Sequence, residues 1–274
     1  MSTCYRHPDR EAYVRCQRCE RFICTDCQYE AAVGFLCPDD AGQSSVSAKI
    51  TNMAPRQVRS AIRSNAPIVT YALIAFCVLV YGLQKLVGDS FTLSWLYTPY
   101  ATVLEPWRML TSAFLHDPSS ILHILFNMYS LWIFGRVIEP LLGRGRFLTL
   151  YLVSALGGSV SVLWLAAPGV MVYGASGAIF GLMAAYFVIL RSIGGNTTQM
   201  VGLIAINLVS GFLIQGIAWQ AHLGGMITGG VVAYIYSRFR HSGQERQRRF
   251  YVLLTVGALI LLTVAGALRL LGYF

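Results

Sequence analysis

The chain has 274 residues, of which 55% are hydrophobic and only 12% charged, with a formal net charge of +9. A soluble domain carries roughly 25% charged residues, so an ordinary water-soluble fold is excluded. The basic residues sit beside long apolar runs, which explains them by membrane topology and argues against nucleic acid as a partner.

Six of the seven cysteines lie in the first 37 residues. They form ligand pairs of one spacing: Cys4-x-x-His7, Cys16-x-x-Cys19, Cys24-x-x-Cys27 and Cys37-x-x-Asp40. Two ligands separated by two residues close on one ion through a tight turn, and thiolate with imidazole suits zinc. Six cysteines could instead pair as disulfides, but His7 and Asp40 complete the pairs and favour metal. Eight ligands fill two tetrahedral sites. The spacing resembles B-box-type zinc fingers, over residues 1–42 only. In that resemblance the pairs cross: Cys4, His7, Cys24 and Cys27 hold one structural zinc, and Cys16, Cys19, Cys37 and Asp40 the other. Asp39 is adjacent and equally able to serve as the last ligand. Metal would supply much of the folding energy of so small a piece. Its arginines at 6, 10, 15, 18 and 21 read as a solvated face near the membrane. The module is expected to bind a partner that the sequence does not identify. No cleavable signal peptide is expected, because the N-terminus lacks an apolar core.

Residues 43–64 read as a polar linker, and residues 65–274 as a membrane domain. Seven spans are expected, at about 67–87, 121–139, 147–167, 176–191, 200–217, 219–237 and 250–271. Each is an apolar run near the 20 residues that cross a bilayer core as helix. Basic residues cluster before span one and after spans two, four and six. They share one side if the N-terminus is cytoplasmic and the C-terminus extracytoplasmic. That side is reducing, which agrees with thiolate ligands. Between spans one and two, Asp89 to Ser120 is long and aromatic, with Trp95, Tyr97, Tyr100, Trp107 and Phe114. It reads as an amphipathic loop lying in the interface.

Polar side chains inside a membrane are costly and mark functional sites. His123 opens span two, with Asn127 four residues on and on the same face. Ser176 opens span four and His222 opens span six. All three spans run in the same direction, so these groups share one depth beneath the outer surface. A serine hydroxyl becomes a nucleophile when a base takes its proton, and either His222 or His123 could serve. Between Pro118 and Gln244 the sole acid is Glu139, at the far end of span two. The arrangement is therefore a Ser–His dyad without a carboxylate, needing no cofactor, or it is not a catalytic site. The other histidine, Asn127 and the N–H groups opening span four are then free to stabilise an oxyanion. Gly177 and Gly181, like Gly225 and Gly229, are four apart and let membrane helices approach closely.

Taken together, Trp107-Arg108, His123-x-x-x-Asn127, Gly174-x-Ser176-Gly177 and Ala221-His222 followed by Gly225-x-x-x-Gly229 resemble the rhomboid family of intramembrane serine proteases, over about residues 65–274. The resemblance implies an all-α polytopic membrane protein with a six-helix core, to which a seventh C-terminal helix and the zinc module are added. It implies Ser176 as nucleophile, His222 as base, and His123 with Asn127 at the oxyanion. Trp107 and Arg108 would anchor the outer loop, and Glu139 with Arg136 would brace the cytoplasmic end of span two. Substrates would be transmembrane proteins with helix-destabilising spans, cleaved near the outer face after lateral movement of span five. Phe180 departs from the tyrosine that many members carry four residues after the serine; it keeps the ring and loses the hydroxyl. A bacterial plasma membrane is the expected location. The alternative is a catalytically silent membrane adaptor acting through its zinc module.

Overall fold

A computed structural model describes residues 2–30, 34–41, 66–213, 216–241 and 243–273. The expected linker, residues 43–64, therefore lies wholly outside the described residues. The chain divides into two compact units, one within residues 1–52 and one within 53–274.

The first unit is held by short elements. Strands β1 (Val14–Arg15) and β2 (Phe22–Ile23) pair antiparallel, as do β3 (Tyr29–Glu30) and β4 (Phe35–Leu36), and helix α1 (Pro38–Ala41) follows. Among the described residues its buried interior consists of Ala12, Ile23 and five cysteines, with Tyr5, Val14, Phe22, Phe35 and Leu36 packed against them. So small an apolar interior supplies little stability by burial alone.

The second unit is helical. Helix α2 (Ile68–Val87) leads into three short helices, α3 (Asp89–Trp95), α4 (Ala101–Leu104) and α5 (Arg108–Thr111). Then come α6 (Ile121–Leu142), α7 (Arg144–Leu165), α8 (Ser176–Ser192), α9 (Thr198–Leu213), α10 (Trp219–Arg238) and α11 (Glu245–Leu270). All seven expected spans are present as helices, and the Asp89–Ser120 connection is a run of short helices joined by turns. Helices α2, α6, α7 and α11 are long and apolar enough to cross a membrane, while α8 and α9 are apolar but shorter. Span two runs past its expected end, through Pro140 to Leu142. Span three starts early, at Arg144, because Gly143 (φ +83°) turns the chain there. Span five is described as helix over Thr198–Leu213, and Gly216 has φ +86°.

Helices α7, α8 and α10 form the centre, and glycine explains how closely they pack. A side chain on Gly225 would run into the backbone of Gly177, and one on Gly229 into the backbone of Gly181. Gly157 and Gly224 play the same part between α7 and α10, where side chains would meet Thr228 and the Gly157 carbonyl. Helix α9 is different: only Met200 and Gly211 on it are buried. An apolar cleft of about 640 Å³, lined by Phe187, Val201, Leu208 and Met226 among others, separates part of it from α8 and α10.

Glu139, fully buried, accepts hydrogen bonds from the Val69 N–H (2.8 Å), the Thr70 N–H (2.7 Å) and the Thr70 hydroxyl (2.7 Å). The first N–H groups of a helix have no partner within it, and Pro67 offers α2 no side-chain cap. Glu139 therefore caps span one. The expected brace with Arg136 is replaced: the Arg136 guanidinium lies over the Trp132 ring, 4.7 Å from its centroid.

Candidate active site and metal clusters

Ser176 is the first residue of α8, preceded by Gly174 at φ +132°, a backbone conformation that side chains strongly disfavour. The approach to it is pinned to the outer loop. Tyr97 and Val172 exchange two backbone hydrogen bonds (3.0 and 2.8 Å), and the Gly174 N–H donates to the Ser112 carbonyl at 2.9 Å. The outer loop is itself fixed by Arg108, which reaches the Leu93 carbonyl (2.6 Å) and the Glu105 carboxylate (2.7 Å). Ser159 of α7 ties down the next residue by donating to the Met109 carbonyl at 2.6 Å. Trp107 is half exposed on the same segment.

Glycine contact between α8 and α10 brings His222 to the serine. The Ser176 Oγ and His222 Nε2 lie 2.9 Å apart, and His222 is buried while Ser176 remains partly accessible. Phe180, one turn along α8, lies flat on the His222 imidazole at 4.2 Å between centroids and 11° between planes. The other ring nitrogen, His222 Nδ1, is buried without a hydrogen-bond partner. No carboxylate stands behind it among the described residues.

His123 faces the same small space. A Cβ placed on Gly174 would lie 3.0 Å from His123 Nε2 and 3.7 Å from Ser176 Oγ. The absent side chain at Gly174 thus leaves room between the imidazole and the hydroxyl for one small group. Asn127 donates from Nδ2 to the His123 carbonyl at 2.8 Å, which leaves one of its two amide hydrogens for another acceptor. The Ser176 N–H is among the first four of α8 and has no partner within the helix. A hydroxyl poised for deprotonation and several N–H donors converging beside it suit acyl transfer. Spacing did not single out Ser112 and the Asp117 N–H, which also meet here, or Gln84, which bonds to the backbone of neighbouring His116; a glutamine near the end of a largely apolar span was the visible signal.

In the first unit the ligand pairs cross. Cys4, His7, Cys24 and Cys27 form one group and Cys16, Cys19, Cys37 and Asp40 another, with the ligand atoms of each group within 4.8 Å of one another. Tetrahedral zinc with thiolates near 2.3 Å and imidazole near 2.0 Å requires S···S of about 3.8 Å and S···N of about 3.5 Å. Cys19 and Cys37 sulfurs are 3.7 Å apart, and His7 Nδ1 lies 3.4 Å from both Cys24 and Cys27. These distances fit a metal-bound set and are far too long for disulfides. Asp40 Oδ2 sits 3.3 Å from Cys16 and 3.1 Å from Cys37. Asp39 turns away, accepting from the Tyr5 hydroxyl (2.9 Å) and pairing with Arg21 (3.0 Å). The residues fit a metal, and Asp40 is the carboxylate placed to hold it.

Residues 103–239 match the family model described as Rhomboid domain. Rhomboid protease GluP of Bacillus subtilis (strain 168) is 33% identical over 224 residues, covering 76% of this chain and 42% of the relative. Rhomboid protease GlpG of Klebsiella pneumoniae subsp. pneumoniae is 34% identical over 188 residues, covering 64% of this chain and 65% of the relative. GlpG of Yersinia enterocolitica is 35% identical over 184 residues, covering 63% of this chain and 64% of the relative. The chain thus spans less than two thirds of the length of each.

Proposed function

This chain belongs to the rhomboid family, and from that membership we propose that it is an intramembrane serine endopeptidase working through Ser176 and His222. It is an integral, multi-pass membrane protein. The observation that carries the proposal is the 2.9 Å contact between the Ser176 hydroxyl and His222 Nε2.

The Ser176 oxygen attacks the carbonyl carbon of the scissile peptide while His222 Nε2 takes its proton. The carbonyl oxygen becomes an oxyanion, met by N–H groups of His123, Asn127 and the Ser176 backbone. His222 returns the proton to the departing amine nitrogen, leaving an acyl ester on Ser176. Water, deprotonated by the same imidazole, then releases the new carboxyl terminus and restores the hydroxyl. Phe180 holds the imidazole in plane, a task that a carboxylate performs in a triad. Electrostatic stabilisation by preorganised donors supplies several kcal/mol of the barrier reduction.

A helix of 17 residues is about 25 Å long, short of the roughly 30 Å hydrocarbon core. With Arg191 at the cytoplasmic headgroups, Ser176 starts below the outer surface, where a substrate span presents its peptide bonds. A helical span hides those bonds, so the substrates are single-span proteins with helix-destabilising residues near the outer face. The loose packing of α9 against α8 and α10 supports lateral entry by displacement of that helix. The N-terminal groups hold two structural zinc ions. The basic residues flanking the spans support a cytoplasmic N-terminus and an extracytoplasmic C-terminus, and the bacterial relatives support a plasma membrane.

The test is purified full-length protein with a model transmembrane substrate in liposomes. Wild type cleaves, while Ser176→Ala and His222→Ala fall at least about 10³-fold, and a fluorophosphonate labels wild type but not Ser176→Ala. Normal cleavage by Ser176→Ala refutes the proposal, and a wild type that is folded yet neither cleaves nor takes the label points to the adaptor reading.

A further inference from the structure

Gln84 lies in the last full turn of α2, next to Lys85, and it is 1% exposed. Burying a primary amide is costly unless its hydrogen bonds are made. Gln84 makes three. Its Nε2 donates to the His116 carbonyl at 2.8 Å and to the Thr92 hydroxyl at 3.1 Å, and its Oε1 accepts from the His116 N–H at 2.9 Å. The reciprocal pair on one residue fixes which end of the amide is oxygen, because a backbone N–H needs an acceptor and a carbonyl needs a donor. A single side chain from span one thus grips both backbone polar groups of His116, which is itself fully buried.

The next backbone group along is the Asp117 N–H, and it donates to His123 Nδ1 at 3.1 Å. A backbone N–H can only donate, so Nδ1 must present its lone pair. A neutral imidazole in that state carries its proton on Nε2. Nε2 is the atom facing the space in front of Gly174, beside the Ser176 hydroxyl. The His116 ring adds an edge-on contact to the His123 ring, 5.4 Å between centroids.

Resting on the proteolytic reading, we infer that Gln84 is a positioning residue: it clamps the His116 backbone so that the Asp117 N–H holds His123 in the tautomer whose Nε2–H faces the oxyanion. Without the clamp, Asp117 shifts, the lone pair on Nδ1 loses its donor, and His123 samples the tautomer that presents an acceptor to a negative charge. Gln84 touches neither substrate nor the reacting atoms, and acts through two backbone groups of the outer loop.

Two readouts separate this role from general support of the loop. The first is spectroscopic and independent of turnover. The full-length protein carrying ¹⁵N-histidine is examined by NMR in micelles, with His123 assigned by its loss in His123→Ala. The expected wild-type signal is protonated Nε2 and bare Nδ1; Gln84→Ala moves it toward the averaged shifts of mixed tautomers. A wild-type His123 protonated on Nδ1 overturns the inference. The second is a double-mutant cycle on kcat and KM. Gln84→Ala lowers kcat about tenfold at nearly constant KM, less than the roughly 10²–10³ lost on removing an oxyanion donor outright. In the His123→Ala background the same substitution costs nothing further. Multiplying losses in that cycle, or a loss confined to KM, also overturn it. Gln84→Glu keeps the acceptor for the His116 N–H but no donor for its carbonyl, and falls between wild type and alanine; it serves as the folded variant should alanine fail to fold. If wild type shows the expected tautomer but cleaves nothing, the proteolytic reading fails and the placement of His123 stands.

Discussion

Among single side chains, His116 is the outlier. It is fully buried, and neither ring nitrogen makes a hydrogen bond of normal geometry. Burial first, and then repulsion from neighbouring His123, push it from the ordinary 6.5 down to about 3. The folded protein therefore refuses a proton that the unfolded chain accepts at about pH 6.5. Linkage gives the sign: this contribution leaves stability unchanged above pH 6.5 and lowers it progressively as pH falls from 6.5 toward 3. The unfolding midpoint of the detergent-solubilised protein is expected to drop between pH 7.5 and pH 5, and His116→Asn to flatten that slope. An unchanged slope in the variant would show that another group carries it. The sequence placed His116 in an outer loop and no more, because a loop residue's burial depends on what folds over it. Ser176, His222, His123 and Asn127 were legible individually, as polar groups in apolar helices. Which histidine meets the serine was not legible from spacing; it followed from resemblance, and the geometry puts His222 at 2.9 Å.

Helices are where the glycines count. Gly225 and Gly229 on α10 lie against the backbone of α8, whereas a Cβ on Gly230 would find only Ala184 Cβ, at an ordinary 3.7 Å. Three glycines of one helix therefore answer differently to the same change. Gly225→Ala and Gly229→Ala each force α8 and α10 apart, costing about 1–3 kcal/mol or more by overpacking. They also lengthen the Ser176–His222 contact, so cleavage falls with them. Gly230→Ala is neutral or stabilising by up to about 1 kcal/mol, since alanine is the better helix former. Thermal unfolding and cleavage of the three variants check this; equal effects at all three would remove the close-approach argument. The small-residue spacing identified Gly225 and Gly229 beforehand, but not their partners. Glu139 shows the converse. Its place at the end of span two suggested a local brace with Arg136, yet its carboxylate caps α2, some 70 residues away in sequence.

Over the whole molecule, two units meet different solvents and are stabilised in different ways. The helical unit buries apolar side chains between helices and leaves the rest to lipid. The first unit has a small apolar interior, and its two ligand groups fit a metal. A chelator added to the full chain is expected to release two zinc ions and unfold residues 2–41, while the helical unit keeps its helicity and most of its cleavage activity. Metal analysis, circular dichroism and the liposome assay follow the three quantities. Loss of all cleavage with the helices intact would make the first unit part of the catalytic machinery.

The apolar runs, their approximate ends and the two-residue spacing within each ligand pair were legible in the order of residues alone, whereas which pairs share a group followed from resemblance. Apolar length and ligand spacing are local properties, set by helix rise and by what a tight turn can reach. Contacts between remote segments decided the rest: Asp40 over Asp39, Glu139 on the start of α2, the Asp117 N–H on His123, and a hydroxyl touching one imidazole. Each depends on how far one backbone can approach another and on which face of a helix turns inward, and those distances exist only once the helices have packed.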